Sequence, residues 1–222
     1  MLAQKTHAPD LVIMFEAGGM APQLPTMPIS VGDSRTFHRG LMATSMCDIM
    51  QFAQRGQVDY TFLGGAQIDA FGNLNSTVAG DHKKPTVRFP GSGGANDLAS
   101  LCWRTLVVTQ QNARRFVEKL DFLTTPGYLT GLGAREGSGL PPGTGPFRVI
   151  TDMGIYGYSS TTCRMQLHSL HPGVTLDQVK EATGFKLEFA DPIGCTEAPS
   201  AQELHILRDE VDPRRYILGR GQ

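Results

Sequence analysis

Three stretches of this 222-residue sequence hold residues whose types and spacing could do chemistry. The first is Leu11-Val-Ile-Met-Phe15, an apolar run that ends at Glu16-Ala-Gly-Gly19. A carboxylate emerging at a strand end can serve as nucleophile, general base or metal ligand. Gly18 and Gly19 behind it remove side chains that would block a bulky ligand. The same glutamate also fits a structural part, ending the strand and bonding a neighbouring N–H. The second stretch, Gly64-Gly65-Ala66, offers consecutive backbone N–H groups without steric cover. That is what an oxyanion hole needs, with donors about 2.7–3.1 Å from the developing charge; a β-bulge would use the same residues. The third, Pro90-Gly91-Ser92-Gly93-Gly94, leads into a helix expected over Asn96–Leu101 and could hold a phosphate through its N–H groups. No Gly-Lys-Ser/Thr follows, so it is not a P-loop.

The remaining candidates carry less. His168-Ser-Leu-His171-Pro-Gly173 has no third ligand at helical spacing and reads as a strand-to-turn corner with structural or exposed histidines. Cys47, Cys102, Cys163 and Cys195 form no C-x-x-C pair, and they are expected as buried thiols of a reducing cytoplasm. No metal site is expected. Lys83-Lys84 belongs on a solvated turn, and Phe62, Phe71 and Phe89 suit core or loop packing better than base stacking.

The elements that must position these residues follow from pattern. The run at 11–15 does not alternate, as expected of a strand buried on both faces. Pro22, Pro25 and Pro28 exclude helix after it. Ser45-Met-Cys-Asp48 opens a helix with a capping-box variant, and Gly56 stops it. Val58–Leu63, Ser76–Ala79, Arg104–Thr109 and Phe147–Thr151 read as β segments, and 124–146, dense in glycine and proline, reads as a long surface loop or lid. Thr175…Gln178 and Ser200…Glu203 are capping boxes for two late helices. Strands alternating with helices predict an α/β fold with an open, mostly parallel sheet, whose ligands sit beyond the carboxyl ends of strands. No repeat or linker divides the chain, so 1–222 is expected as one domain. Twenty basic against 21 acidic side chains, net −1, argue against a nucleic-acid partner, which needs a basic face. No apolar window reaches the ~18 residues of a membrane span, and the N-terminus lacks a signal peptide; a cytoplasmic protein is expected. With 26 glycines and 14 prolines, tight loops and backbone groups should carry much of the function.

Taken together, Phe15-Glu-Ala-Gly-Gly19, Pro28-Ile-Ser-Val-Gly-Asp33, Leu63-Gly-Gly-Ala-Gln-Ile-Asp-Ala-Phe-Gly-Asn-Leu-Asn-Ser-Thr77, Phe89-Pro-Gly-Ser-Gly-Gly-Ala95 and Ser169-Leu-His-Pro-Gly-Val-Thr175 resemble the β subunit of family I CoA-transferases of the glutaconate CoA-transferase type. The resemblance implies that Glu16 attacks the carbonyl of an acyl-CoA thioester, giving an acyl-glutamyl anhydride and then a glutamyl-CoA thioester. It implies Gly64, Gly65 and Ala66 as oxyanion donors, and Gly18, Gly19, Gln67, Gly91, Ser92, Gly93 and Gly94 as loops meeting CoA or substrate. A glutamate in water, with a pKa near 4.3, is already ionised at neutral pH, so this attack needs no base. No permanent cofactor is implied; the CoA thioester is substrate, and a carboxylic acid accepts the CoA. The implied partner is an α subunit, in a heterotetramer or larger assembly, with glutaconate and 3-oxoadipate as natural acids. Relatives that open a steroid ring of a CoA ester with water give a hydrolase alternative, and a non-catalytic subunit completing the α-subunit site is a third. Two departures accompany the resemblance. Ala17 stands where relatives usually have serine, and the resemblance leads to the expectation of a further βα unit of about 30 residues ahead of Met1, with either a truncated or misassigned start or a lost flanking strand.

Overall fold

Alternation in the strand sequences decides which face of the central sheet is covered. In β8 below, Thr105 and Val107 turn inward while Arg104 and Val108 are exposed, the period-2 pattern of a sheet packed on one side. The computed structural model describes residues 1–219 and divides into two compact units, Met1–Phe52 with Ala198–Gln222, and Ala53–Glu197.

The first unit begins with α1 (Leu2–Lys5), followed by the two-residue strands β1 (Gly19–Met20) and β2 (Met42–Ala43), which pair antiparallel. Helix α2 (Met46–Gln54) opens on the expected capping box: Ser45 Oγ accepts the Asp48 N–H at 3.2 Å, and Asp48 Oδ2 accepts the Ser45 N–H at 3.1 Å. Gly56, at φ +71°, ends the turn that follows. The buried strand expected over 11–15 does not form. Its one bridge joins Met14 to Met20, and Val12 is 60% exposed. A short apolar run without alternation does not by itself say how many neighbours it will have.

The second unit holds β3 (Tyr60–Leu63), β4 (Gln67–Ile68), β5 (Leu74–Asn75), β6 (Val78–Asp81), β7 (Lys84–Arg88), α3 (Ala95–Leu101), β8 (Arg104–Val108), α4 (Ala134–Gly137), β9 (Gly145–Ile150), β10 (Gly154–Tyr158), β11 (Met165–Leu170), α5 (Leu176–Glu181) and β12 (Glu188–Cys195). Six of these strands form one sheet in the order β12-β11-β10-β9-β8-β3. The junctions β3·β8, β8·β9 and β11·β12 are parallel; β9·β10 and β10·β11 are antiparallel. The expected open, mostly parallel α/β sheet is therefore present. Its covered face carries Val107, Val149, Tyr156, Met165 and Leu167, packed with Phe116, Val179 and Phe185. Full burial of each such side chain contributes about 1.5–3 kcal/mol. Phe62 departs from its expected packing: it sits on the edge strand β3 and is 67% exposed. Cys102 and Cys163 are buried as expected, whereas Cys47 and Cys195 are exposed.

The chain returns to the first unit with α6 (Ala201–His205), whose Ser200–Glu203 capping box is complete. The turns continue to Val211, whose carbonyl accepts the Met27 N–H at 2.8 Å. No helix among the described residues is long and apolar enough to cross a membrane.

The 124–146 segment, expected as a long surface loop or lid, exposes residues 136–139 but is anchored from within. Arg135, 1% exposed, lies at its centre. Its guanidinium donates to the carbonyls of Ala99 and Ser100 in the last turn of α3, to those of Pro126 and Gly127, and to Thr144 Oγ1. One cation thus satisfies the unpaired carbonyls at a helix C-terminus, where positive charge is favoured, and ties both limbs of the loop to it. Replacing it strands buried acceptors, each costing about 1–3 kcal/mol. Arg135→Met, which keeps most of the aliphatic volume, is expected to lower stability by about 3–5 kcal/mol, measured as a drop in the urea midpoint with the slope unchanged.

Candidate active site

In the first unit, Glu16 sits at the tip of a tight hairpin. The Gly18 N–H donates to Phe15 O at 2.9 Å, the Phe15 N–H to Gly19 O at 2.8 Å, and the Ala21 N–H to Ile13 O at 2.8 Å. Glu16 and Ala17 are the two central residues of the turn so closed, and Glu16 is half-buried. Gly18 and Gly19 explain why the turn can lie where it does. A Cβ on Gly18, at φ +115°, would stand 2.0 Å from Thr44 O, and one on Gly19 2.0 Å from Thr36 O. The space is filled by the chain's own carbonyls, so these glycines seat the glutamate rather than opening room for a ligand, which corrects the expectation for both.

The neighbours that press on the turn are themselves fixed. Thr44 donates its N–H to Gly18 O at 2.9 Å and its hydroxyl to Asp48, the capping residue of α2. Thr36 is fully buried, and its hydroxyl donates to Asp33 O at 2.7 Å. Asp33 caps the single turn Ser34–Phe37 and takes the Arg35 guanidinium side-on, which holds its carboxyl well below the usual carboxylate range. Arg35 in turn reaches Met27 O at 3.1 Å. Asp33, which closes the Pro28–Asp33 stretch, is therefore part of the brace of the glutamate turn through Thr36.

In the second unit, β3 ends at Leu63 and the chain passes into Gly64-Gly65-Ala66. The Ala66 N–H donates to Asn75 O at 2.8 Å, so Ala66 is not the available donor the sequence suggested. Among the described residues no carbonyl takes the Gly64 or Gly65 N–H; Gly64 is exposed and Gly65 half-buried. Gln67 is also spent on structure. Its Oε1 accepts from Asn75 Nδ2 at 2.7 Å and from the Asp121 N–H at 3.0 Å, while Nε2 donates to Asp121 Oδ2 at 2.9 Å. The glycine loop is held from one side: the Gly91 N–H donates to Ser76 O at 2.9 Å and Ser76 Oγ to Gly91 O at 2.8 Å. Ser92 Oγ accepts the Asn96 N–H at 3.1 Å, at the opening of α3. A Cβ on Gly91 would meet nothing within 4 Å, and Gly93 is exposed. Gly94 is buried as the residue preceding α3. The structure thus brings the two glycine loops together on adjacent residues, Asn75 and Ser76.

Asp69 to Asn75, whose residue types read as turn chemistry in the sequence, proves central to this arrangement as well. Asn73 Oδ1 accepts the N–H groups of Gly127 and Leu129, and its Nδ2 donates to Asp69, whose carboxylate also accepts the Phe71 and Asn73 N–H groups. Burial pushes the Asp69 carboxyl up, against these hydrogen bonds and Arg164. The signal was present in the spacing Asp69-x-x-x-Asn73-x-Asn75, three polar side chains in a run otherwise fit for a core. Of the histidines, His171 bonds Thr151 O at 2.9 Å, and His168 Nε2 is buried without a partner among the described residues. No three His, Cys, Asp or Glu side chains among the described residues are grouped to hold a metal ion.

The first unit thus holds a half-buried glutamate on a braced turn; the second, described by itself, holds two glycine N–H groups that no carbonyl takes among the described residues. The sequence profile described as Coenzyme A transferase matches residues 1–182, and the chain belongs to this family, of the β-subunit type. It is 40% identical to the β subunit of 3-oxoadipate CoA-transferase from Pseudomonas knackmussii, over 93% of this chain and 80% of that protein. It is 38% identical to the β subunit of glutaconate CoA-transferase from Acidaminococcus fermentans, over 98% and 83%. The crystal structure of glutaconate coenzyme A-transferase from that organism superposes with a TM-score of 0.92 at 36% identity, covering 99% of this chain and 86% of the other. A more distant relative, the cholesterol ring-cleaving hydrolase IpdB subunit of Mycobacterium tuberculosis, is 25% identical over 96% and 82%.

The two kinds of glycine separate on substitution. Gly18→Ala drives a methyl into Thr44 O and is expected to prevent folding of the turn or cost more than about 3 kcal/mol. Gly91→Ala has open space and carries only the strain of its φ of +95°, about 1–2 kcal/mol. Urea midpoints of the two variants should fall in that order.

Proposed function

We infer that this chain is the β subunit of a heteromeric CoA-transferase that moves CoA from an acyl-CoA to a carboxylic acid through a thioester on Glu16. The observation that carries the reading is the seating of Glu16: two glycines whose missing Cβ atoms admit Thr44 O and Thr36 O fix the backbone that carries this carboxylate at a turn tip, in a chain of this family. Such fixing offsets the weakness of a carboxylate as a nucleophile, because positioning replaces orientational entropy lost in the transition state.

The steps balance without metal or ATP. Glu16 adds to the thioester carbonyl, and the tetrahedral oxyanion collapses to an acyl-glutamyl anhydride with release of the CoA thiolate. The thiolate attacks the glutamyl carbonyl, giving glutamyl-CoA and freeing the first acid. The acceptor carboxylate then attacks glutamyl-CoA, and the returning thiolate takes the new acyl group and restores Glu16. Each exchange keeps one activated carbonyl for another. The N–H groups of Gly64 and Gly65 are the proposed oxyanion donors, and the Gly91–Gly94 loop the proposed contact for CoA. Dicarboxylic or 3-oxo acids are the proposed substrates, with glutaconate and 3-oxoadipate, the acids in the names of the two transferase relatives, the first to assay. The partner is a CoA-transferase α subunit.

Co-produced with its α subunit, the wild-type chain is expected to exchange CoA between two acids. Glu16→Gln, nearly isosteric, should lower kcat by at least about 10³-fold, the scale of losing a nucleophile, with the complex still assembled. Full activity of Glu16→Gln would remove Glu16 from the chemistry. Consumption of acyl-CoA without an acceptor acid, at the rate seen with one, would favour hydrolysis instead.

A further inference from the structure

Asn75 is wholly buried, and every hydrogen-bonding position of its carboxamide is used. Nδ2 donates to Gln67 Oε1 and to Val78 O, both at 2.7 Å; Oδ1 accepts the Thr77 N–H at 2.9 Å and the Val78 N–H at 3.3 Å. The side chain therefore closes the turn that follows it and grips Gln67, two residues beyond Gly65. Its main-chain carbonyl meanwhile takes the Ala66 N–H at 2.8 Å. Ala66-Gln67 is thus held to one residue at two points, main chain and side chain, and the N–H groups of Gly64 and Gly65 just before them are taken by no carbonyl among the described residues. Gln67 is backed in turn by Asp121, whose Oδ2 also accepts the Gly80 N–H at 2.9 Å.

We propose that Asn75 is a positioning residue for the Gly64–Gly65 donors, acting through Ala66 and Gln67 and touching no substrate. The proposal rests on the reading of those glycines as oxyanion donors. A donor aimed at a charge present only in the transition state affects kcat, whereas a substrate contact of equal strength in ground and transition states affects KM. An enclosing carboxamide that only stabilised the fold would move neither once the variant is folded and assembled.

Asn75→Asp keeps shape and the Oδ1 acceptor but turns both donated hydrogen bonds into carboxylate–oxygen repulsions. Gln67→Met, on a half-buried residue, releases the same grip from the other end and serves if Asn75→Asp does not assemble with its α subunit. Steady-state kinetics of the αβ complex, with melting temperatures recorded alongside, are expected to show kcat lowered about 10- to 100-fold with KM for acyl-CoA within about threefold, a fraction of what losing a donor outright costs. Gln67→Met should show the same split to a smaller degree. An assembled variant with wild-type kcat overturns the positioning role, and so does a raised KM at unchanged kcat, which would make Gln67 a substrate contact. The wild-type complex separates the two levels: if it transfers no CoA, the function itself falls and the positioning role with it; if it transfers and both variants keep its kcat, only the positioning role falls.

Discussion

Three consecutive carbonyls organise the larger unit. Leu74 O accepts the Thr124 and Thr125 N–H groups, Asn75 O accepts that of Ala66, and Ser76 O accepts that of Gly91. One short strand end thereby fixes the start of the long loop, the diglycine loop after β3, and the glycine loop before α3. Backbone groups buried in a loop-rich region must be paired or they carry the full penalty of desolvation, and this segment pairs those of three loops at once. The buried amides of Asn73 and Asn75 do the same work with side chains. Arg135 completes it by closing the far limb of the long loop onto the carbonyl end of α3.

The glycine content, conspicuous in the sequence, divides by what occupies the missing Cβ. At Gly18 and Gly19 the occupants are carbonyl oxygens of the same unit, so the glycines are demanded by packing. At Gly91 nothing lies within 4 Å of that position, and at Gly64 and Gly65 no carbonyl among the described residues takes the N–H. Composition could suggest that backbone groups carry function; only the neighbours of each glycine tell which ones have a backbone group to offer.

What was legible in the sequence was local. The boxes at Ser45–Asp48, Thr175–Gln178 and Ser200–Glu203 form as read, because both partners lie within one turn of helix. The strands β3, β8 and β9 lie where the apolar runs placed them, and the α/β class follows from their alternation with helices. What was not legible depends on contacts far apart in the chain. Leu11–Phe15 has the composition of a buried strand and finds one bridge. Arg135 looks like a loop charge and is buried because carbonyls 35 and 36 residues away meet it. Ala66 looks like a donor until Asn75 O, nine residues on, takes its N–H. Glu16 was legible as a carboxylate ending an apolar run; the turn that carries it and its two-glycine seat were not.

Everything in the functional reading passes through one covalent bond, between the Glu16 carboxyl and CoA. The direct measurement is mass spectrometry of the αβ complex incubated with acyl-CoA alone, digested to the peptide bearing Glu16, with and without borohydride reduction. A CoA adduct on Glu16, converted by borohydride with release of the CoA thiol to a side chain ending in a primary alcohol on the same carbon skeleton, is the predicted result. An unmodified Glu16 in a complex that is turning over acyl-CoA would contradict it.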